Sequence, residues 1–203
     1  MWLIKIDAHG VTQWNQTYGG TGDESASALI QTTDGGVALA GSTRSYGAGE
    51  SDMWLIKIDA HGVTQWNQTY GGTGDESTSA LIQTTDGGFA LAGNTRSYGA
   101  EEYDIWLVKT DTNGVAQWNK AYGGTERDAA YSIIQTSDEG FGLAGFTGSY
   151  GAGHADMWFI KIKPTSTLEA LLAPLLNFNL IGFIFFFITL FLLIITIKKQ
   201  KRG

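Results

Sequence analysis

The sequence predicts an all-β repeat protein that ends in one transmembrane helix, and three observations support this prediction. The chain of 203 residues repeats itself at intervals of 52 residues. Each repeat contains four segments with the composition of β-strands, separated by glycine-rich turns. The last part of the chain contains a long apolar run without charge. With 43% hydrophobic and 12% aromatic residues, the chain is too apolar to be disordered.

The repeats define the domain organisation. Two series of tryptophans recur at the 52-residue step: Trp2, Trp54, Trp106 and Trp158, and Trp14, Trp66 and Trp118. We therefore divide the repeat region, residues 1–162, into three units and one partial unit: 1–52, 53–104, 105–156 and 157–162. The first two units differ at only five pairs of positions: Ala26/Thr78, Val37/Phe89, Ser42/Asn94, Gly49/Glu101 and Ser51/Tyr103.

Each unit contains four predicted strands, as the first unit shows. Alternating hydropathy and β-branched or aromatic residues predict strands at 2–7, 11–18, 25–32 and 37–43. Turn and loop residues, above all glycine and aspartate, separate them at 7–10, 19–22, 34–36 and 45–49.

Four short strands per repeat, with glycine and aromatic residues at fixed places, are typical of a β-propeller blade. A parallel β-solenoid is the alternative, but its coils usually repeat at roughly 20–30 residues and need no Asp-Gly-Gly hairpin. We therefore predict an incomplete β-propeller of three four-stranded blades plus one strand. Three blades cannot close a ring and expose unpaired edges, so we expect self-association through residues 2–7 or the last blade.

The segment 7–14, DAHGVTQW, resembles the tryptophan-docking motif of quinoprotein-like propellers, where Asp, Gly and Trp recur once per blade. The Gly-to-Trp step is kept in all three units, whereas the Asp-to-Gly step is one residue short. The whole unit is similar to quinoprotein-like or kelch-like repeats of large exported archaeal and bacterial surface proteins. This resemblance implies more blades, so we expect an N-terminally truncated piece of a longer exported protein.

The tryptophans recur once per blade, which predicts packing between blades rather than stacking on sugars. Acidic residues follow the glycine-rich segments, and if these loops share one face they would attract cations or basic partners. We therefore predict surface contacts with a protein or glycan ligand at six residues: Asp23, Glu24, Asp75, Glu76, Glu126 and Asp128.

Composition excludes several function classes. The net charge is −7, and an acidic repeat region makes nucleic acid an unsuitable partner. No cysteine is present, which excludes thiolate metal sites and cysteine nucleophiles. No arrangement of catalytic residues stands out, so we predict no enzyme and no cofactor. A Ca²⁺ site at 111–114 is one alternative, although the rest of an EF-type loop is missing. The other alternative is that the chain is a fragment of a quinoprotein-like or carbohydrate-active enzyme.

The C-terminal part predicts a membrane anchor. Residues 180–197 carry no charge, and with the extension back to 175 the run spans about 27–35 Å as a helix. We predict a stalk at 163–174, a transmembrane helix at 175–197 and a basic tail at 198–203. The tail puts the C-terminus in the cytoplasm and the repeats outside; a tail anchor with cytosolic repeats is the alternative. The sequence thus predicts a membrane-anchored cell-surface module for binding, adhesion or scaffolding.

Overall fold

The structure, a computed structural model, describes residues 1–163. Within these residues the chain forms thirteen strands in four antiparallel sheets. The first sheet contains β1 (Trp2–Ile6) and β2 (Thr12–Thr17). The second contains β3 (Glu24–Gln31), β4 (Val37–Thr43), β5 (Asp52–Ile58) and β6 (Thr64–Tyr70). The third contains β7 (Glu76–Gln83), β8 (Phe89–Thr95), β9 (Asp104–Thr110) and β10 (Ala116–Tyr122). The fourth contains β11 (Asp128–Gln135), β12 (Phe141–Thr147) and β13 (Asp156–Ile162).

The sheets are offset from the 52-residue units. Each four-stranded sheet begins with the third predicted strand of one unit and ends with the second strand of the next. The short hairpin turns pair strands within a sheet, whereas the glycine-rich loops connect one sheet to the next. The all-β repeat is confirmed, but the grouping into three four-stranded blades plus one strand is wrong. Residues 1–163 form sheets of two, four, four and three strands without a closed ring.

An aspartate organises the turn between the third and fourth strands of each four-stranded sheet, and between the two strands of the first sheet. In the second sheet, Asp59 Oδ1 accepts hydrogen bonds from the backbone N–H groups of His61 (2.8 Å) and Val63 (2.9 Å). Gly62 has φ +84°, which glycine adopts without the steric cost of a side chain. His61 therefore contributes its backbone to this turn, and the same arrangement recurs around Asp7 and Asp111.

Neighbouring sheets bury their faces against each other. Strands β5, β8 and β9 are buried at every residue, because each lies inside a four-stranded sheet that is covered on both faces. One core joins the second and third sheets and includes Leu55, Tyr70, Phe89 and Trp106. Each such side chain contributes about 1.5–3 kcal/mol relative to an exposed one, so the interfaces between sheets supply much of the stability.

An aromatic pair at the end of one sheet packs against a glycine of the next. An added Cβ at Gly114 would lie 2.6 Å from the Trp66 ring, so only glycine lets the ring approach so closely. From the same strand, the Tyr70 hydroxyl donates to the Gly114 carbonyl at 2.6 Å. Trp14 and Tyr18 contact Gly62 in the same way. The tryptophans and the turn glycines belong to the segments that resemble the tryptophan-docking motif, whereas the tyrosines follow four residues after the tryptophans.

We expect Gly114→Ala to destabilise the protein more than the matched control Gly10→Ala. Both glycines have positive φ, but a Cβ at Gly10 meets nothing within 4 Å, whereas at Gly114 it overlaps the Trp66 ring. Gly10→Ala should cost about 1 kcal/mol for the backbone conformation, and Gly114→Ala a further 1–3 kcal/mol for overpacking. Urea unfolding followed by tryptophan fluorescence measures both. Equal losses would contradict a role for the Trp66 contact.

A lysine ties the hairpin between the first two strands of a sheet to the third strand. Lys57 is 5% exposed, and its Nζ lies 2.9 Å from Asp34 Oδ2 and donates to Gln65 Oε1 at 2.8 Å. Hydrogen bonds from the Thr32 hydroxyl, from Lys57 and from the Gly36 N–H lower the pKa of Asp34. The same ion pair recurs in the next two sheets: Lys109–Asp86 (2.8 Å) and Lys161–Asp138 (2.6 Å).

We expect Asp34→Asn to lower the free energy of unfolding at pH 7, because Lys57 then lacks its counter-charge. The loss should lie near the lower end of about 1.5–3 kcal/mol, since the Asp34 side chain is half exposed. A lowered native pKa stabilises the fold above the unfolded pKa, and this contribution fades as pH falls through the native pKa. Urea titrations from pH 7 to pH 2 should therefore show the two proteins converging in acid. If the difference in the free energy of unfolding between the two proteins stays constant with pH, the ion pair is ruled out as the source of that difference.

Candidate binding cleft

The two ends of the sheets carry different chemistry. One end holds the Asp-Gly-Gly hairpins and the aspartate turns, which are internally hydrogen-bonded. The other end, which we call the loop end, collects the longer connections: 19–23, 44–51, 71–75, 96–103, 123–127 and 148–155. The loop end therefore offers side chains that are not committed to turn formation.

A cleft of about 370 Å³ opens at the loop end. It lies at the start of β7, where residues next to β4 and β5 in the second sheet meet residues of the third sheet. The segment before β11 reaches it as well. Its lining is polar and includes Arg44, Ser51, Asp75, Asn94, Tyr103 and Arg127.

Two guanidinium groups of the cleft have no acidic partner among the described residues. Arg44 and Arg127 form no ion pair within residues 1–163, whereas Arg96 pairs with Glu102 at 3.2 Å. The Tyr103 ring lies between two arginines, with Arg96 Cζ 4.3 Å and Arg127 Cζ 5.4 Å from its centroid. The cleft thus combines available positive charge with an aromatic ring that helps to hold that charge in place.

Hydrogen-bond acceptors and donors complete the cleft. Asp75 Oδ1 is shielded from solvent and has no hydrogen-bond partner within residues 1–163. Asn94 is 8% exposed, and its Oδ1 accepts from the Ser77 hydroxyl at 2.5 Å, which orients the amide. These groups suit a ligand that has hydroxyls as well as an anionic group.

The units differ from one another at the cleft, although the tryptophans of their outer strands repeat. Asn94 and Tyr103 stand where the first unit has Ser42 and Ser51, and these are two of the five differences between those units. The third unit has Arg127 in place of Asp75. At the sheet interfaces, by contrast, the tryptophan of each outer strand is the same in all three units. The core varies as well, since the buried Phe89 stands where the first unit has Val37.

The acidic residues predicted as surface contacts fall into two groups. Asp23 and Glu126 are exposed at the loop end, and Asp75 lines the cleft. The other three, Glu24, Glu76 and Asp128, begin the first strands of the second, third and fourth sheets and hold the loops. Glu76 is 1% exposed, and Asp128 is fully buried. The sequence reasoning missed Arg44, Tyr103 and Arg127; the Ser51/Tyr103 difference between near-identical units was the available signal.

The tryptophans predicted to pack between blades occupy two positions. Trp14 and Trp66 contact the glycine turn of the next sheet, and Trp118 packs edge-on against Phe141 at 5.7 Å. The tryptophans of the other series each lie on the first or third strand of their own sheet. A tyrosine of the adjoining loop packs against three of these rings: Trp54, Trp106 and Trp158. Trp2, on β1, is 65% exposed.

The alternative Ca²⁺ site at 111–114 has its carboxylate engaged elsewhere. Asp111 Oδ1 accepts from the N–H groups of Asn113 and Val115, both at 2.8 Å. Across residues 1–163 no three acidic or histidine side chains are grouped to hold a metal ion. The geometry of the turn accounts for the aspartate there.

The predicted stalk, membrane helix and tail, at 163–174, 175–197 and 198–203, lie outside the described residues apart from residue 163. In the part of the chain that the structure describes, no helix has the length and apolar character to cross a membrane.

Comparison with known proteins gives one distant similarity. No protein-family model matches the chain. The regulatory protein FlaEY of Caulobacter vibrioides is 24% identical over 192 residues, a region that covers 82% of this chain and 20% of FlaEY. The chain therefore spans about a fifth of the length of this curated relative. These findings support repeated antiparallel sheets without identifying a propeller family.

Proposed function

We propose that this protein is a cell-surface binding module of the propeller type, anchored by a C-terminal transmembrane helix. Its ligand site is the cleft at the loop end, and the module acts by adhesion or recognition rather than by catalysis. The single observation that carries the proposal is the cleft in which Arg44 and Arg127, neither of them ion-paired within residues 1–163, lie beside the Tyr103 ring.

The chemistry of the cleft supports an acidic sugar unit as the ligand. Arg44 and Arg127 supply planar donors that match a carboxylate, and the Tyr103 ring offers an apolar surface to a pyranose. Asp75 and Asn94 accept from and donate to hydroxyl groups. A volume of about 370 Å³ suits a ligand of small-molecule size.

The acidic residues support binding over hydrolysis. A glycosidase of the common type needs two carboxyl groups on opposite sides of the scissile bond. Of the acids that border this cleft, Glu76 is 1% exposed and accepts hydrogen bonds from Thr95, Ser97 and Gly72. Asp75 alone is then available to a sugar.

We expect Arg44→Ala and Arg127→Ala each to weaken binding of a glucuronate-terminated oligosaccharide by about tenfold or more, because each removes a charged donor. Isothermal titration calorimetry with the full chain in mild detergent measures the affinity. The matched control is Lys120→Ala, which removes a positive charge from an exposed position on β10, outside the cleft. Failure of the unaltered protein to bind the oligosaccharide, or equal losses in all three variants, would refute the proposed ligand.

We expect the chain to stay with membranes after alkaline carbonate extraction and its repeats to be digested by protease added to intact cells. Truncation after residue 163 should release the repeats into the soluble fraction, because residues 175–197 would be lost. Repeats that stay protected until the cells are opened would indicate the opposite topology, a tail anchor with cytosolic repeats.

A further inference from the structure

Two buried carboxyl groups meet over a glycine where the third sheet joins the fourth. Asp104 begins β9 and is 1% exposed, and Asp128 begins β11 and is fully buried. A Cβ added to Gly123 would lie 1.7 Å from Asp104 Oδ1 and 2.6 Å from Asp128 Oδ2, so both carboxyl groups face the same point. The second and third sheets repeat the arrangement, with Asp52 and Glu76 over Gly71.

No positive charge balances this pair within the described residues. Neither Asp104 nor Asp128 takes part in an ion pair, and Oδ1 of each is buried without a hydrogen-bond partner. The nearby charged and titratable groups are engaged elsewhere. The Arg127 guanidinium lies over the Tyr103 and Phe146 rings, Arg96 pairs with Glu102, Glu126 is exposed, and the Tyr150 hydroxyl donates to the Gly123 carbonyl.

Two carboxylates this close and this deeply buried repel each other and lose their hydration, so one of them gains stability by keeping its proton. We propose that each of these two junctions, between the second and third sheets and between the third and fourth, holds one proton shared by its two carboxyl groups. The resulting hydrogen bond between a carboxylic acid and a carboxylate joins neighbouring sheets and makes their contact depend on pH. This inference concerns the interior of the repeats and is independent of the ligand proposed for the cleft.

The hydrogen-bond donors indicate which group holds the proton. Asp128 Oδ2 accepts from the Gly124 N–H (3.0 Å) and the Ser149 hydroxyl (2.7 Å), and these donors stabilise its charge. Asp104 Oδ2 accepts from the Ala100 N–H alone (2.6 Å). Burial, with a further contribution from the Asp128 charge, raises the pKa of Asp104. The proton therefore belongs on Asp104.

The same distribution holds at the other junction. Glu76 accepts three hydrogen bonds, from Gly72, Thr95 and Ser97, so its charge is well stabilised. Burial raises the pKa of Asp52, hydrogen bonds from the loop backbone oppose this, and the Glu76 charge adds to the increase. In both junctions the aspartate at the start of the third strand carries the proton.

Asp104→Asn tests the proposal, because an asparagine amide donates permanently and cannot ionise. A raised native pKa stabilises the fold at low pH, and that contribution is lost as pH rises through the native pKa. We therefore expect the melting temperature of the unaltered full chain to fall relative to the variant between pH 4 and pH 9. At pH 9 the variant should melt several degrees higher, and at pH 4 the two should converge.

Asp156→Asn is the matched control. Asp156 accepts from the same loop position, the Ala152 N–H at 3.0 Å, yet within residues 1–163 no carboxyl group faces it over a glycine. The difference in melting temperature between Asp156→Asn and the unaltered protein should not depend on pH. If the melting-temperature difference between Asp104→Asn and the unaltered protein is equally independent of pH, the shared proton is refuted.

Two further measurements keep the proposal falsifiable if the variant folds poorly. Infrared spectra of the unaltered full chain at pH 7 should show the carbonyl band of a buried protonated carboxyl group, and absence of that band would overturn the proposal. Addition of Ca²⁺ at pH 8 should leave the melting temperature unchanged. A rise that Asp104→Asn abolishes would identify a cation as the balancing charge and would equally overturn it.

Discussion

The contact between an outer-strand aromatic pair and the glycine turn of the next sheet is the constraint on which the repeats depend. A four-stranded sheet with apolar residues on both faces cannot bury them alone, so each sheet needs a neighbour at a fixed distance. Trp66 and Tyr70 set that distance, because the ring lies against Gly114 and the hydroxyl bonds its carbonyl. Any side chain at Gly114 would push the sheets apart, which explains why the turn and the outer strand repeat together.

This spacing also creates the cleft. Once the sheets are stacked, their longer loops collect at one end, and residues far apart in sequence, such as Arg44 and Arg127, reach the same space. The outer-strand tryptophan and the turn glycine are the same in all three units, since each must fit a neighbour that is built in the same way. The cleft residues carry no such restriction. A repeat of this kind can therefore change its cleft without changing its fold, as the exchange of Ser51 for Tyr103 between near-identical units shows.

The junctions between sheets combine this spacing with electrostatics. The glycine-rich loops that connect the sheets bring Asp104 and Asp128 together out of water, and the absence of a side chain at Gly123 gives them room. Lysine–aspartate pairs at the opposite end, such as Lys57 with Asp34, have the reverse dependence on pH, because there the charged form of the acid is stabilised. The two ends of a sheet thus respond to acid in opposite directions.

The sequence alone determined the repeat, its four strands and its turns, because these depend on local patterns: alternation of apolar residues, Asp-Gly-Gly hairpins and a 52-residue period. Tertiary structure decided which strands share a sheet. A 52-residue period is the same wherever the unit is taken to begin, so it does not show which consecutive strands pair. Tertiary structure also decided which acids are exposed. Asp75 and Glu76 are neighbours in sequence and both border the cleft, yet Glu76 is 1% exposed and binds the loop whereas Asp75 is half-buried, because adjacent residues at the start of a strand point to opposite faces.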